Sequence, residues 1–197
     1  TSGAARWSPA AGVATQRDEA STAKSIAVLP FANMSADPEN EYFSDGIKEE
    51  IINALAKIGE LKVTSRTSSF YYKGQNKPIK AIGEELNVST ILEGSVRLAG
   101  KQVRMTAQLI DVAEDYHFWS ETWDRRLDDI FAIQDEIAAN VARNLELTLG
   151  PGAQRAMQKA QLHDIKAYDF YLRGRRFYCK YRRKGMEFAL QMFNRAI

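Results

Sequence analysis

The spacing of apolar side chains changes repeatedly between residues 25 and 150, and each change marks an element. Ser25–Phe31 (Ser-Ile-Ala-Val-Leu-Pro-Phe) is a continuous apolar run, the mark of a strand covered on both faces, with Pro30 ending its ladder. Asp37-Pro-Glu-Asn40 reads as a turn. From Tyr42 onward, Phe43, Ile47, Ile51, Leu55 and Ile58 recur at spacings of four and three, which predicts an amphipathic helix stopped at Gly59. Glu39, Glu41 and Asp45 suit its positive end. Leu61–Arg66 is a second strand, and Lys77–Asn87 a second helix with Ile79, Ile82 and Leu86 inward. Ser89–Leu98 and Gln102–Asp111 form a hairpin about Ala99-Gly100, in which Val103, Met105, Ala107 and Leu109 alternate with Arg104, Thr106 and Gln108. His117–Trp123 is a further strand. Asp128–Leu149 is the longest helix, with Ile130, Gln134, Ile137, Val141, Leu145 and Leu149 on one stripe.

The order β-α-β-α-β-β-β-α predicts a mixed-sheet α/β sandwich over 25–150, followed by a helical-repeat hairpin. Residues 1–24 carry no apolar period and read as a flexible linker. Gly150-Pro151-Gly152 closes the domain, 151–163 is a connector, and 164–197 is a pair of helices, roughly 164–180 and 185–197.

Composition adds exclusions. With 45% hydrophobic and 26% charged residues, the 197-residue chain is of the ordinary globular class. The longest apolar run, Ile26–Ala32, falls far short of the roughly 18 residues that span a bilayer. Opening on Thr1 without Met, the chain reads as a middle piece whose natural sequence continues past Ile197. A single cysteine, Cys179, excludes a disulfide framework and a multi-thiolate zinc site. The net charge of +2 is unevenly spread: 16 Lys+Arg against 22 Asp+Glu in residues 1–150, but 11 against 3 in residues 151–197. Two units with different surfaces follow from that split.

The chemistry-bearing residues give little sign of an enzyme. Gly94 to Gly100-Lys101-Gln102 has five intervening residues where a phosphate loop has four, and Gln where a magnesium-binding hydroxyl belongs. The two histidines, His117 and His163, fall in different units; His117 sits among Tyr116, Phe118 and Trp119 as an aromatic strand residue. Basic neighbours surround Cys179, which reads as a small residue on a helix. The pairs Glu49-Glu50, Glu84-Glu85, Asp128-Asp129 and Asp135-Glu136 read as solvated faces or favourable first-turn charges. No catalytic residue, metal-ligand set or cofactor is therefore expected.

Ligands of open α/β sheets gather beyond the carboxyl ends of the strands. Asn33, Ser44, Asp45, Arg66, Thr67 and Ser68 meet there, and offer hydroxyls, backbone N–H groups and a guanidinium to a small anion or peptide carboxylate. A capping and turn network explains the same residues without a ligand. The stretch Tyr171–Lys184 combines seven cations with aromatic rings, which suits nucleic acid; at helical spacing, Phe170, Phe177 and Tyr181 form an inner stripe instead, with the cations outside.

Many ordered blocks resemble one bacterial family. They are Ser25–Phe31, Tyr42-Phe-Ser-Asp-Gly46 with Glu49-Glu50-Ile51, Ser65-Arg-Thr-Ser-Ser69, Leu92-Glu-Gly-Ser-Val96, Gln108-Leu-Ile-Asp111, Trp119-Ser-Glu121 and Asp129–Ile137. Together they resemble the TolB amino-terminal-like domain of tetratricopeptide-repeat signalling proteins over about 25–150. Gly174, Phe177, Ala189, Phe193 and Ala196 resemble a first tetratricopeptide repeat, with a basic turn longer than the usual one. The resemblance implies a domain between an effector (a class III adenylate cyclase, a winged-helix regulator of the CadC kind or a protein kinase) and a repeat array. It also implies a membrane span upstream, which places this part on the periplasmic side; without the span it is cytoplasmic.

The expected function is a non-catalytic sensory and protein-interaction module that couples ligand or partner binding to an upstream effector. Phe177, Arg182, Arg183, Lys184, Ala189 and Phe193 would bind a protein partner through the helical repeat. Membrane contact is expected only through the missing span, and homo-oligomers are compatible with the sequence. The competing readings are a nucleotide-handling, cyclase-related enzyme fragment, and nucleic-acid binding by the basic tail, which the first reading does not expect.

Overall fold

The computed structural model describes residues 24–147, 164–178 and 183–197, apart from the side chain of Arg183. β1 (Ser25–Val28) lies inside the sheet, with Ile26, Ala27 and Val28 fully buried, as a continuous apolar run requires. Leu29 still donates its N–H to the Leu92 carbonyl at 2.9 Å. Pro30 has no N–H to give, and pairing resumes only at β2 (Ala32–Asn33), a short strand the pattern did not indicate. A turn at Pro38–Asn40 follows, in which the Asp37 carboxylate accepts the Glu39 N–H at 2.8 Å.

α1 (Glu41–Leu55) buries Phe43, Ile47, Ile51 and Leu55. It ends at Ala56, three residues before the expected stop at Gly59. Ile58 and Leu61 are drawn into the core there, and Ile58 donates its N–H to the Leu55 carbonyl at 3.0 Å. β3 is likewise shorter than predicted, Lys62–Val63. The Ser65 hydroxyl accepts the Ser68 N–H at 3.3 Å and so starts α2 (Arg66–Phe70), where an extended chain was expected through Arg66. α3 is Ile79–Leu86, closed by Asn87 in the left-handed region.

β4 (Thr90–Ala99), β5 (Gln102–Asp111) and β6 (Tyr116–Arg126) form an antiparallel meander. The sheet order is β3-β1-β4-β5-β6; β3, β1 and β4 are mutually parallel, and β2 extends the β1 side of β4. α4 (Ile130–Asn144) is shorter than the predicted helix, whose end at Leu149 lies outside the described residues. α1 and α4 cover one face, over a core that includes Ile47, Ile51, Met105, Leu109, Trp123, Ile133 and Ile137. On the opposite face, a smaller core of Ala27, Leu29, Tyr72, Ile82, Ile91 and Val112 packs under α3. The fold is the mixed-sheet α/β class that the periodicity predicts, with short elements such as β2 and α2 added.

α5 (Ile165–Tyr178) and α6 (Arg183–Ala196) form an antiparallel hairpin. The buried positions of α5 are Tyr168, Leu172 and Gly174. This corrects the expected stripe: Phe170 and Phe177 are half-buried, and Tyr181 lies outside the described residues. Two glycines permit the close packing. A Cβ on Gly46 of α1 would stand 2.3 Å from a Leu172 methyl, and one on Gly174 would stand 2.6 Å from the Phe193 ring. Leu172 is 2% exposed, so its burial against α1 contributes about 1.5–3 kcal/mol to docking of the hairpin. Among the described residues, no helix is long and apolar enough to cross a membrane.

Candidate functional site

The hairpin meets the α/β domain through charge as well as through Leu172. A cleft of about 320 Å³ opens where α1, the α2 segment and α5 converge, lined by Asp45, Gly46, Glu49, Arg66, Phe70, Lys73, Arg175 and their neighbours. Its walls are ion pairs. Lys73 reaches two carboxylates of α1, Glu41 at 2.8 Å and Asp45 at 2.7 Å. The hydrogen bond from Lys73 holds the Glu41 carboxyl below its usual range. Glu49 accepts Arg66 of α2 at 3.0 Å and also pairs with Arg175 of α5, so one carboxylate serves two guanidiniums. At the rim, Arg176 pairs with Glu39 at 3.2 Å. Tyr42 donates its hydroxyl to Asp169, which also holds Arg173 at 2.9 Å. Burial, reinforced by Asp169, pushes the Tyr42 phenol up to about 12.

Phe70 organises the cations. Lys48 Nζ lies 4.5 Å from its ring centre, Arg66 Cζ 4.9 Å and Lys73 Nζ 5.1 Å. An aromatic face attracts a cation, and this ring is shared by three basic side chains. Lys48 is fully buried, and its Nζ has no hydrogen-bond partner among the described residues. Burial pulls its pKa from 10.5 down to about 7, against the pull of Asp45 and with help from Arg66 and Lys73.

Of the ligand residues expected from sequence, Asp45 and Arg66 line this cleft. Ser44 is buried beside it on α1, and its hydroxyl has no partner among the described residues. Thr67 and Ser68 are exposed on α2, where Ser68 serves the Ser65 cap. Asn33 is elsewhere: its carboxamide accepts the Ser35 N–H at 3.0 Å and donates to the Asp37 carbonyl at 3.4 Å, a turn network. Sequence reasoning missed Lys48, Glu49, Phe70 and Lys73. Glu49 read as part of a solvated face; it is the hub between α2 and α5. Lys48 carried a readable signal, because Ser44, Lys48 and Ile52 follow one another at four-residue intervals along the flank of the apolar stripe.

The expected partner-binding residues divide. Ala189 is 1% exposed, inside the α5–α6 contact, and is therefore covered. Phe193 packs against Gly174 and Tyr171, and Phe177 lies against Phe188 at 4.4 Å between ring centres. Lys184 is exposed. Arg182 and the Arg183 side chain lie outside the described residues, as do residues 1–23 of the expected linker 1–24, Gly150-Pro151-Gly152, His163 and Cys179. In the basic tail, Arg173, Arg175 and Arg176 are each engaged by a carboxylate. A second, more apolar groove of about 540 Å³ runs between α1, α4, α5 and α6, lined by Phe131, Tyr168, Tyr171 and Phe193. There burial raises the pKa of Glu50. Among the described residues, no group of His, Cys, Asp and Glu could hold a metal ion.

Comparison with known proteins adds context to this geometry. A curated relative named "Putative adenylate cyclase 3" from Rhizobium meliloti is 42% identical over 173 residues, which is 88% of this chain. The chain spans 30% of that relative's length. Among solved structures, TolB from Acinetobacter baumannii aligns with a TM-score of 0.46 and 15% identity, over 64% of this chain and 29% of that one. The LpoB C-terminal domain from Salmonella enterica aligns with a TM-score of 0.44 and 18% identity, over 55% of this chain and 87% of that one. Residues 22–140 match the family described as HilA/YgeH-like transcriptional regulator, second domain, and the chain belongs to that family.

Proposed function

We propose that the chain is a non-catalytic sensory and interaction module of a bacterial multidomain signalling protein. In this reading, ligand or partner binding at the α1–α2–α5 cleft biases the orientation of the helical hairpin, and with it an upstream effector, a cyclase or a transcription regulator. The observation that carries the reading is Glu49, shared between Arg66 of the α/β domain and Arg175 of the hairpin. A ligand that engages Arg66 alters the ion pair that docks the hairpin. The regulator family and the cyclase relative support a signalling context.

The hairpin is proposed as a first tetratricopeptide-like helix pair that recruits a protein partner. The tight Gly174–Phe193 contact supports this, being a small-to-large packing between paired helices. Domain limits of 25–150 and 164–197 go with that reading, as does a periplasmic position behind an upstream membrane span. Small-angle scattering with and without candidate ligands tests the coupling: the interdomain geometry should change on saturation, and unchanged profiles refute it. Incubation with ATP or GTP and magnesium tests the absence of catalysis, and cyclic nucleotide formation by this chain would overturn it. Protease accessibility of the full-length protein in spheroplasts tests the side of the membrane.

A further inference from the structure

Three buried side-chain atoms near the cleft have no hydrogen-bond partner among the described residues: Ser44 Oγ, Lys48 Nζ and Ser69 Oγ. Ser44 and Lys48 share one face of α1, and Ser69 adjoins Phe70, whose ring lies 4.5 Å from Lys48 Nζ. Buried polar groups are ordinarily satisfied, so orphans behind the wall of a cleft are a reason to look for a guest or bound water there; Lys48 is the one tied to the lining, through Phe70. A wholly buried, unpartnered lysine beside two further cations favours a guest of negative charge.

We propose that the cleft receives one anionic group, a carboxylate or a phosphate, beside Phe70 between Arg66 and Lys73, and that Lys48 takes up a proton as it binds. This rests on the reading of the cleft as a ligand site and specifies the chemistry of the ligand. The charged groups that act on Lys48 are Asp45 and Glu49 from α1, Arg66 from α2 and Lys73 from the loop after it. β1, beneath α1, is Ser-Ile-Ala-Val and adds no charge. With Lys48 neutral, these four groups balance, as do Glu41 on Lys73 and Arg175 of α5 on Glu49; with Lys48 protonated, one positive charge is in excess. A ligand that brings one negative charge cancels the excess and favours the protonated amine. Both Arg66 and Lys73 share the Phe70 ring with Lys48, which puts the guest within about a Debye length of Lys48 Nζ. Arg66, paired with Glu49, can exchange that contact for a guest while Glu49 keeps Arg175, and Lys73 has two carboxylates and can release one.

The test is calorimetric titration of the chain with sodium acetate and, separately, with inorganic phosphate, at about pH 8, where Lys48 is mostly neutral. Each titration is run in two buffers of different ionisation enthalpy. The wild type should bind at least one probe saturably, with heats that differ between buffers in the sense of proton uptake. Lys48→Met should still bind that probe, with the buffer difference from the protein abolished, and Arg66→Gln should lose binding. The probe that responds tells a carboxylate guest from a phosphate one. No saturable binding of either probe, or a buffer difference that persists in Lys48→Met, overturns the proposal. Binding by the wild type without proton uptake also overturns it, while leaving the ligand reading of the cleft intact. The scattering experiment tests that reading on its own.

Discussion

Replacing Lys48 by Met should stabilise the protein, and the gain should depend on pH in a defined window. The Lys48 side chain is fully buried, and its pKa falls from 10.5 when exposed to about 7 in the fold. Between those values the unfolded chain holds a proton that the folded chain does not, so the stability of the wild type rises with pH across the window. The cost of burying the lysine is fully present below pH 7 and is gone above 10.5. A shift of this size, at 1.36 kcal/mol per unit, amounts to about 5 kcal/mol. Met has a similar length, fills the same space and has no charge to lose. Lys48→Met should therefore exceed the wild type by up to about 5 kcal/mol at or below neutral pH. The advantage should shrink by about 1.4 kcal/mol per pH unit as pH rises towards that of a free lysine. Urea unfolding of both proteins at several pH values measures this directly. A difference that stays flat with pH, or a variant less stable than the wild type below neutrality, would refute the reasoning.

Other consequences can be checked as simply. Gly46→Val should drive its side chain into Leu172 and cost about 1–3 kcal/mol; hydrogen exchange should rise selectively in α5. Glu49→Gln should weaken both Arg66 and Arg175 contacts at a cost of about 1–2 kcal/mol, diminishing with salt. A double-mutant cycle with Arg175→Gln should show coupling between the two sites. Tyr42 should remain protonated to about pH 12, burial being the chief cause and Asp169 the second. The phenolate absorbance it contributes should appear at lower pH in Asp169→Asn.

The periodic parts of the chain were legible because their side chains face one well-defined environment. The Phe43-Ile47-Ile51-Leu55 stripe and the alternation from Val103 to Leu109 each map onto a single buried face. What could not be read was decided by contacts distant in sequence. Gly59 failed as a helix stop because Ile58 and Leu61 are pulled inward by the core. Arg66 left the expected strand because the Ser65 cap outcompetes pairing at a sheet edge. The cleft was half visible: Asp45 and Arg66 were found from the topology of open sheets, whereas Lys73 reaches α1 from a loop 28 residues on and Arg175 reaches Glu49 only when α5 docks. Charge sequence alone cannot tell a solvated carboxylate from one that bridges two elements, and Glu49 is the instance.

A carboxylate held by two guanidiniums also makes the two halves of the molecule answer to each other. If an occupant draws Arg66 away, Glu49 is left wholly to Arg175, and the grip on the hairpin tightens. Thermodynamic reciprocity then requires that anything pressing the hairpin home sharpens affinity for the occupant by the same factor. A protein seated on α6 and a small molecule beside Phe70 would thus report on one another without ever touching.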